Sequence, residues 1–238
     1  ENIDEIIFQD VVASLYKRNQ LSSLTNKISK NIFVPITVGG GIRNVNDIKE
    51  ILINGADRVS INTAAVNDKK FIKESVNLFG SSTITITIET LKVGEKYKIF
   101  TDSGRTETNI DTFDWIKEVQ GMGVGEIILT SINNEGTGKG FDLNLYEKAS
   151  KICKISLLAH GGTGNLEDVY KLFLNTGIDG VVVASAFHFN YYKELLNKKE
   201  ILLQGSTNFL VNKDYKNIFF LGINDLKKYL KSKNINIR

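Results

Sequence analysis

The 238-residue sequence has few of the residues that form disulfides or metal sites. It contains one cysteine, Cys153, and two histidines. A single cysteine excludes an internal disulfide and is typical of a reducing compartment, so we expect a cytoplasmic protein. Because there is neither a cysteine pair nor a carboxylate cluster at ligand spacing, we expect no metal site.

Long apolar runs, charge blocks and several well-known motifs are also missing. No apolar run approaches the roughly 20 residues that cross a bilayer, and "ENIDEIIFQD" has no signal-peptide pattern, so we expect no membrane partner. The formal net charge of +3 comes from 30 basic and 27 acidic residues without a basic block, which does not indicate nucleic acid. A Walker loop, a GxGxxG fingerprint and a nucleophile elbow are absent, and we expect no cofactor.

Short apolar runs instead alternate with amphipathic segments along the whole chain. Several of these segments open on Asn or Asp and close on Gly, as helix caps do. Strands alternating with helices are typical of an α/β fold with a parallel sheet. We predict seven strands, at residues 5–8, 34–38, 58–61, 83–88, 126–130, 155–159 and 180–183.

An internal duplication distinguishes between two α/β architectures. Gly40 and Gly41 match Gly161 and Gly162, which lie 121 positions later, and "DEIIF" matches "GEIIL" at the same spacing. Two similar halves of four strand-helix units predict a (β/α)8 TIM barrel, formed by residues 1–238 as a single domain. An open doubly wound sheet is the alternative, but it would not require a half-length repeat.

The same repeat places one barrel strand before residue 1. The strand at 83–88 belongs to the second half, and its counterpart in the first half would precede the given sequence. We therefore expect the first strand to be absent from this chain. Because a barrel lacking this strand would expose strand edges, we also expect the natural protein to have a few dozen more N-terminal residues.

Glycine pairs and hydroxyl residues follow predicted strands in both halves. Glycines let main-chain N–H groups approach an anion, and a helix that begins just afterwards adds the positive end of its dipole. Two symmetric sites predict a substrate with a phosphate at each end, although the same glycines would also form tight turns without a ligand. The candidate phosphate-binding residues are Gly40, Gly41, Asn62 and Thr63 in the first half and Gly161, Gly162, Ala184 and Ser185 in the second.

Carboxylates also follow predicted strands, at the end where the active site of such a barrel lies. Asp10, Glu89 and Glu135 are candidates for acid-base chemistry; solvated loop carboxylates are the alternative. Glu89 ends "TITITIE", a strand with little reason to finish on a charge. His160 matches Gly39 in the repeat, and we predict a binding or structural role for it.

Three charges lie at strand starts, where apolar residues are expected. Glu5, Arg58 and Glu126 must pair with one another or reach water. They predict either surface salt bridges or a charged gate at the bottom of the barrel.

Six motifs together resemble one family, the cyclase subunit of imidazole glycerol phosphate synthase from histidine biosynthesis. They are "DEIIFQDVVAS", "VGGGI", "GADRVSINTAA", "GVGEIILTSINNEGTGKGFD", "HGGTG" and "ASAFHF". The resemblance runs from Ile3 to about Phe189 and resumes at residues 226–238. "SINTAA" is similar to the cyclase and differs from the phosphoribosyl isomerase of the same fold.

The resemblance implies a lyase and cyclase reaction. A glutaminase partner of the class I glutamine amidotransferase type supplies ammonia, which passes Glu5, Arg58 and Glu126 and travels through the core. Ammonia then converts a bis-phosphorylated aminoimidazole ribotide into imidazole glycerol phosphate and an aminoimidazole carboxamide ribotide. The resemblance also implies phosphate binding by the residues given above, catalysis by Glu89 with Asp10 in support, and substrate binding by Thr130, Glu135, Gly136 and His160.

The sequence departs from the family pattern at several positions. The first catalytic aspartate of the family lies on the strand that this chain does not include, and Glu89 replaces the second. Asn133 and Glu135 stand where the family usually has aspartates, and residues 191–220 contain an insertion before the last helix. Such departures resemble a paralogous branch whose barrel channels ammonia to a separate sugar amidotransferase for surface polysaccharides. A channelling subunit is therefore the alternative to the cyclase, and a non-catalytic scaffold is a third hypothesis.

Overall fold

The computed structural model describes residues 2–10, 21–197 and 219–237. The described part of the chain forms one twisted sheet flanked by helices. The strands are β1 Ile6–Gln9, β2 Ile36–Gly39, β3 Arg58–Ile61, β4 Ile84–Val93, β5 Lys96–Thr101, β6 Thr106–Asp111, β7 Glu126–Ser131, β8 Ser156–His160 and β9 Gly180–Val182.

Seven of these strands are parallel and follow one another in the order β1-β2-β3-β4-β7-β8-β9. Each of the seven predicted strands is present, and their ends differ from the predicted ones by a few residues. The parallel order with intervening helices confirms the α/β architecture of barrel type. β1 and β9 form the two edges of the parallel part of the described sheet.

Helices connect the parallel strands and cover one face of the sheet. None of those in the described ranges combines the length and the apolar character needed to cross a membrane. The helices are α1 Leu21–Ser29, α2 Val45–Ile53, α3 Thr63–Asn67, α4 Lys69–Phe79, α5 Thr112–Gly121, α6 Leu143–Ile152, α7 Leu166–Asn175, α8 Ser185–Asn197 and α9 Ile223–Ser232.

The alternating sequence "TITITIE" places two kinds of side chain on opposite faces of β4. Ile84, Ile86 and Ile88 are buried on the outer face, under the helices. Thr90 shares this face, since its hydroxyl bonds to that of Thr112 at the start of α5. Thr85, Thr87 and Glu89 therefore point to the inner face of the curved sheet.

The internal duplication is visible in the structure as two copies of the same capping arrangement. Asn44 and Asp47 form a capping box at the start of α2, and Asn165 and Asp168 form one at the start of α7. In each half, an aspartate before a strand also accepts a main-chain N–H, from Ile36 to Asp57 and from Leu157 to Asp179. The local chemistry that closes each strand-helix unit is thus repeated in both halves.

The antiparallel hairpin β5–β6 was not among the predicted strands. It extends from the carboxyl end of β4, which pairs with β5, while β5 pairs with β6. β6 is polar except for Ile110, and the apolar residues of β5, which are Tyr97, Ile99 and Phe100, alternate only in part, so the pattern does not distinguish the hairpin from a loop. The hairpin brings residues 101–106 over the end of the sheet at which the parallel strands finish.

The predicted insertion at 191–220 falls mostly outside the described residues. Its first part continues α8 to Asn197, and residues 198–218 are not described. The assignment of residues 1–238 to a single domain stays a prediction.

Two isoleucines of α2 test which face of this helix stabilises the fold. Ile48 is 0% exposed and Ile53 is 73% exposed. We expect Ile48→Ala to lower the free energy of unfolding by about 2–5 kcal/mol, because it leaves a cavity in the core. Ile53→Ala, the matched control, should change it by about 0.5 kcal/mol or less. Urea denaturation measures both values, and equal effects would contradict the described packing of α2.

Candidate active site

The candidate active site lies where the carboxyl ends of the parallel strands meet. Parallel register aligns Glu89 of β4 with Thr130 of β7, and Thr130 with His160 of β8. These three predicted site residues therefore form one row across neighbouring strands.

The carboxylate of Glu89 is held by two hydrogen bonds to the same oxygen. Oε2 accepts from the side-chain amide of Asn62 at 2.8 Å and from the main-chain N–H of Gly104 at 2.9 Å. Asn62 follows β3, and Gly104 lies in the turn of the β5–β6 hairpin. Asn62, which was predicted to bind phosphate, thus directs its amide to the predicted catalytic residue.

Burial is the largest influence on the pKa of Glu89, and it raises this pKa above the ordinary value. The hydrogen bonds from Gly104 and Asn62 act in the opposite direction, because they favour the charged form. The negative charges of Glu135 and Asp102 add to the increase. A carboxyl with a raised pKa exchanges protons closer to neutral pH, as a general acid or base requires.

Thr130 and His160 form a second contact in the same row. The Thr130 hydroxyl lies 3.1 Å from Nδ1 of His160. Burial lowers the pKa of His160, and the charge of Glu135 opposes this decrease only in part. The imidazole is therefore mainly neutral at pH 7. Tyr146 of α6 donates to the main-chain carbonyl of His160 at 2.5 Å, which fixes the end of β8.

The two glycine loops lie beside this row, at the ends of β2 and β8. Gly40 has φ +105°, and a side chain there would overlap the main-chain carbonyl of Asp10. Gly162 has φ +118°, and a side chain there would overlap the carbonyl of Gly140. Gly41 and Gly161 also have positive φ angles. Each loop leads into a capping box and a helix of nine or ten residues, α2 or α7, so both helix N-termini are near the mouth.

The remaining predicted phosphate-binding residues differ in what they contact. The Thr63 hydroxyl accepts the main-chain N–H of Asp102 at 3.1 Å. Ala184 and Ser185 are exposed, and Ser185 begins α8. The structure places all three at the carboxyl ends of strands; their binding of phosphate stays a prediction.

Asp10, Glu135 and Gly136 lie in the loops around the mouth. Asp10 follows β1, and its main-chain N–H donates to the Gly39 carbonyl at 3.0 Å. Glu135 and Gly136 are exposed in the loop after β7. The charge of Glu135 acts on both Glu89 and His160, so this loop carboxylate faces the site.

An ion cluster occupies the opposite end of the strands. Arg58 Nη1 lies 2.6 Å from Glu5 Oε2 and 3.9 Å from Glu126 Oε2. Glu126 also accepts hydrogen bonds from the hydroxyls of Thr85 and Ser156. Burial raises the pKa of Glu126, and the charge of Arg58 partly offsets this increase. The three predicted gate residues are thus brought together at the strand starts.

Two features of the site were not predicted from the sequence. The Gly104 main-chain N–H binds Glu89, and only the turn-forming stretch "DSG" hinted at a close approach there. The hydroxyl of Thr163, which follows Gly161 and Gly162, is buried and has no hydrogen-bond partner among the described residues. "HGGTG" contains this residue, and a buried hydroxyl beside a glycine loop is a donor that an anion would satisfy.

In the described ranges, no three His, Cys, Asp or Glu side chains are placed to hold a metal ion.

Comparisons with known proteins agree with this arrangement. The family model described as histidine biosynthesis protein matches residues 1–193. The chain is 41% identical over 199 residues to the imidazole glycerol phosphate synthase subunit HisF of Natranaerobius thermophilus, covering 83% of this chain and 79% of that protein. The same subunit of Thermococcus onnurineus is 41% identical over 206 residues, covering 84% and 81%. That of Hydrogenobaculum sp. is 42% identical over 190 residues, covering 79% and 75%.

The raised pKa of Glu89 predicts a pH-dependent cost to stability. A carboxyl whose pKa is higher in the folded than in the unfolded state destabilises the fold progressively as the pH rises through the folded value. Glu89→Gln removes this titration. We therefore expect the Tm of Glu89→Gln, relative to that of the unsubstituted protein, to increase between pH 4 and pH 8. Thermal unfolding monitored by circular dichroism measures this difference.

The exposed Glu74 provides the matched control for this measurement. Glu74→Gln should leave the Tm difference nearly constant over the same pH range. A constant difference for Glu89→Gln as well would contradict the burial of its carboxylate.

Proposed function

The chain belongs to the histidine biosynthesis protein family, and we propose that it is the cyclase subunit of an imidazole glycerol phosphate synthase. In this role it uses ammonia to convert a bis-phosphorylated aminoimidazole ribotide into imidazole glycerol phosphate and an aminoimidazole carboxamide ribotide. The observation that carries the proposal is the partly buried Glu89 carboxylate, held by Asn62 and Gly104 at a mouth flanked by two glycine loops.

The two glycine loops support a substrate with a phosphate at each end. They occupy equivalent positions in the duplicated halves, and each precedes a helix whose N-terminus favours an anion. Gly40 and Gly41 would bind one phosphate with Asn62 and Thr63. Gly161 and Gly162 would bind the other with Ala184 and Ser185, and the Thr163 hydroxyl is a further donor at this site.

Glu89 is the proposed proton-transfer group of the reaction. Its carboxyl combines a raised pKa with a fixed orientation, which suits an acid or base near neutral pH. Asp10, at the end of β1, would assist it. His160 and Thr130, on the neighbouring strands, would hold the substrate through neutral hydrogen bonds, with Glu135 and Gly136 of the following loop.

The inner face of the sheet supports the passage of ammonia toward Glu89. The ion cluster of Glu5, Arg58 and Glu126 forms the lowest layer, and Glu89, Thr130 and His160 belong to the top layer. Between these layers, the hydroxyls of Ser60 and Thr87 bond to each other across β3 and β4. Thr85, Thr87 and Glu89 lie on the same face of β4, so polar atoms extend from the gate to the site.

The end of the barrel at which the strands start supports docking of a glutaminase partner. Four large hydrophobic side chains are strongly exposed there: Phe33 94%, Ile53 73%, Leu78 60% and Leu174 59%. Phe33 precedes β2, and the others lie at the carboxyl ends of α2, α4 and α7, which return to the strand starts. Apolar side chains exposed on one face are typical of a protein interaction site. They share this face with the proposed ammonia gate.

The second candidate, a barrel that channels ammonia to a sugar amidotransferase, lacks a specific observation in its favour. The matched relatives are named as synthase subunits. We propose a cytoplasmic location, which the single Cys153 supports.

Ammonia-dependent turnover of the ribotide tests the proposed reaction. The purified full-length protein, supplied with the ribotide and concentrated ammonium, should consume substrate at about 1 s⁻¹ or faster. Glu89→Gln should lower kcat by about 10²-fold or more, because it removes the proton-transfer group. Glu74→Gln, an exposed control, should retain the rate. Failure of the unsubstituted protein to bind or convert the ribotide would refute the cyclase.

The exposed apolar side chains at the strand starts allow a separate test of the glutaminase partner. Phe33→Asp should weaken binding of the cognate glutaminase subunit by about tenfold or more, because it places a charge in an apolar contact. It should reduce glutamine-dependent turnover while ammonium-dependent turnover persists. Val93→Asp, at an exposed apolar position at the end of β4 on the opposite side of the barrel, is the control. Equal binding by both variants, measured by titration calorimetry, would exclude this face as the docking site.

A further inference from the structure

The turn that joins β5 to β6 has an unusual backbone. Asp102, Ser103 and Gly104 have φ angles of +53°, +60° and +74°, so three consecutive residues are in the left-handed region. For residues with a side chain this conformation is uncommon and costs free energy. It persists only where surrounding contacts hold it.

Contacts within the hairpin close this turn. The Arg105 N–H donates to the Thr101 carbonyl at 3.0 Å, and the Thr106 hydroxyl donates to the Asp102 carboxylate at 3.1 Å. Gly104 lies against the loop after β7, since a Cβ added to it would be 3.3 Å from Cδ1 of Ile132. The turn therefore packs against the loop that follows β7.

Two main-chain N–H groups of the turn point to residues at the mouth. The Asp102 N–H donates to Thr63 Oγ1 at 3.1 Å, and the Gly104 N–H donates to Glu89 Oε2 at 2.9 Å. The first bond fixes the hairpin to the start of α3, and the second reaches the carboxylate. The left-handed backbone places both donors on the side of the turn that faces the site.

We propose that the turn Asp102–Gly104, anchored by the Thr63 hydroxyl, is a positioning element that orients the Glu89 carboxylate for proton transfer. Oε2 accepts the bonds from Gly104 and Asn62, whereas Oε1 has no hydrogen bond among the described residues. Oε1 is thus the oxygen left to exchange a proton with substrate. Thr63 acts through the turn, in addition to any contact with phosphate.

Because charges and hydrogen-bond donors surround Glu89, its pKa should respond to a loss of the hydrogen bond from Gly104. Asp102 and Glu135 face it with negative charge, and the N–H of Gly104 and the amide of Asn62 are the donors that oppose them. Displacing the turn weakens the Gly104 donor and also moves the charge of Asp102, but the bond from Gly104 is the larger of these two influences on the pKa of Glu89. The pKa of Glu89 should then increase further.

Carbon-13 NMR titration of the Glu89 side-chain carboxyl, assigned with Glu89→Gln, tests the proposal. Thr63→Val removes the acceptor of the Asp102 N–H, and Gly104→Ala strains the turn next to Ile132. Both should move the titration midpoint of Glu89 upward by about 0.5 pH unit or more. Both should also lower kcat by about tenfold, because misplaced groups slow the chemical step, and Gly104→Ala should do so with KM changed less than about twofold.

Two variants serve as controls. Thr63→Ser keeps the hydroxyl and should retain the titration midpoint of Glu89 in the unsubstituted protein. Gly94→Ala carries a similar left-handed strain, at φ +61°, in the β4–β5 turn, where an added Cβ meets nothing within 4 Å. Gly94→Ala should change neither the titration midpoint of Glu89 nor kcat.

The midpoint and the turnover separate this proposal from the function on which its kinetic part rests. An upward midpoint in Thr63→Val and Gly104→Ala supports the positioning role even if the unsubstituted protein does not convert the ribotide. Unchanged midpoints in both variants would overturn it, whatever the turnover. A rise in KM alone for Thr63→Val would also overturn it, since Thr63 would then act only on the phosphate.

Discussion

The parallel register of the strands is the constraint on which the candidate active site and the ion cluster both depend. It aligns Glu126 with Thr85 and Ser156 at the strand starts, and Glu89 with Thr130 and His160 at the strand ends. Side chains alternate between the faces of each strand, so a slip of one residue would turn these groups outward, under the helices. The isoleucines of β4 would then face inward. Because the helices bury the outer face, the isoleucines must face outward. Their orientation keeps the polar side chains of β4 on the inner face.

The duplication repeats the glycine loops and helix caps of this fold but not the side chains of the candidate active site. Both halves close a glycine loop with an Asn–Asp capping box, so each presents a helix N-terminus to the mouth. His160, however, stands where the first half has Gly39, and the β5–β6 hairpin follows only β4 in the described sheet. The symmetric part suits two similar anions at opposite sides. The asymmetric part supplies Glu89, the proposed proton-transfer group, and the residues that hold it at one side of the mouth.

Local patterns made much of this arrangement predictable from the sequence. Alternation in "TITITIE" predicts a strand, and the strand order follows from the repeat, which also explains why Gly40 and Gly162 are in equivalent loops. The charges at Glu5, Arg58 and Glu126 were recognised because charges at strand starts need partners. The partners of Asn62 and Thr63 were not predictable, since they belong to the hairpin and to Glu89, distant in sequence. The hairpin was not predicted because its pairing depends on contact with β4 rather than on its own apolar pattern.

Glu89 and Glu126 are two carboxylates of one fold in different electrostatic surroundings. Burial raises the pKa of each, and they differ in what opposes that increase. At Glu126 the main opposing influence is the cation of Arg58, which favours a persistent negative charge and an ion cluster. At Glu89 it is a pair of neutral N–H donors, while nearby carboxylates favour the neutral form. A site in which hydrogen bonds rather than a cation balance the charge can gain and lose a proton at modest cost, and this is the property that acid-base chemistry requires.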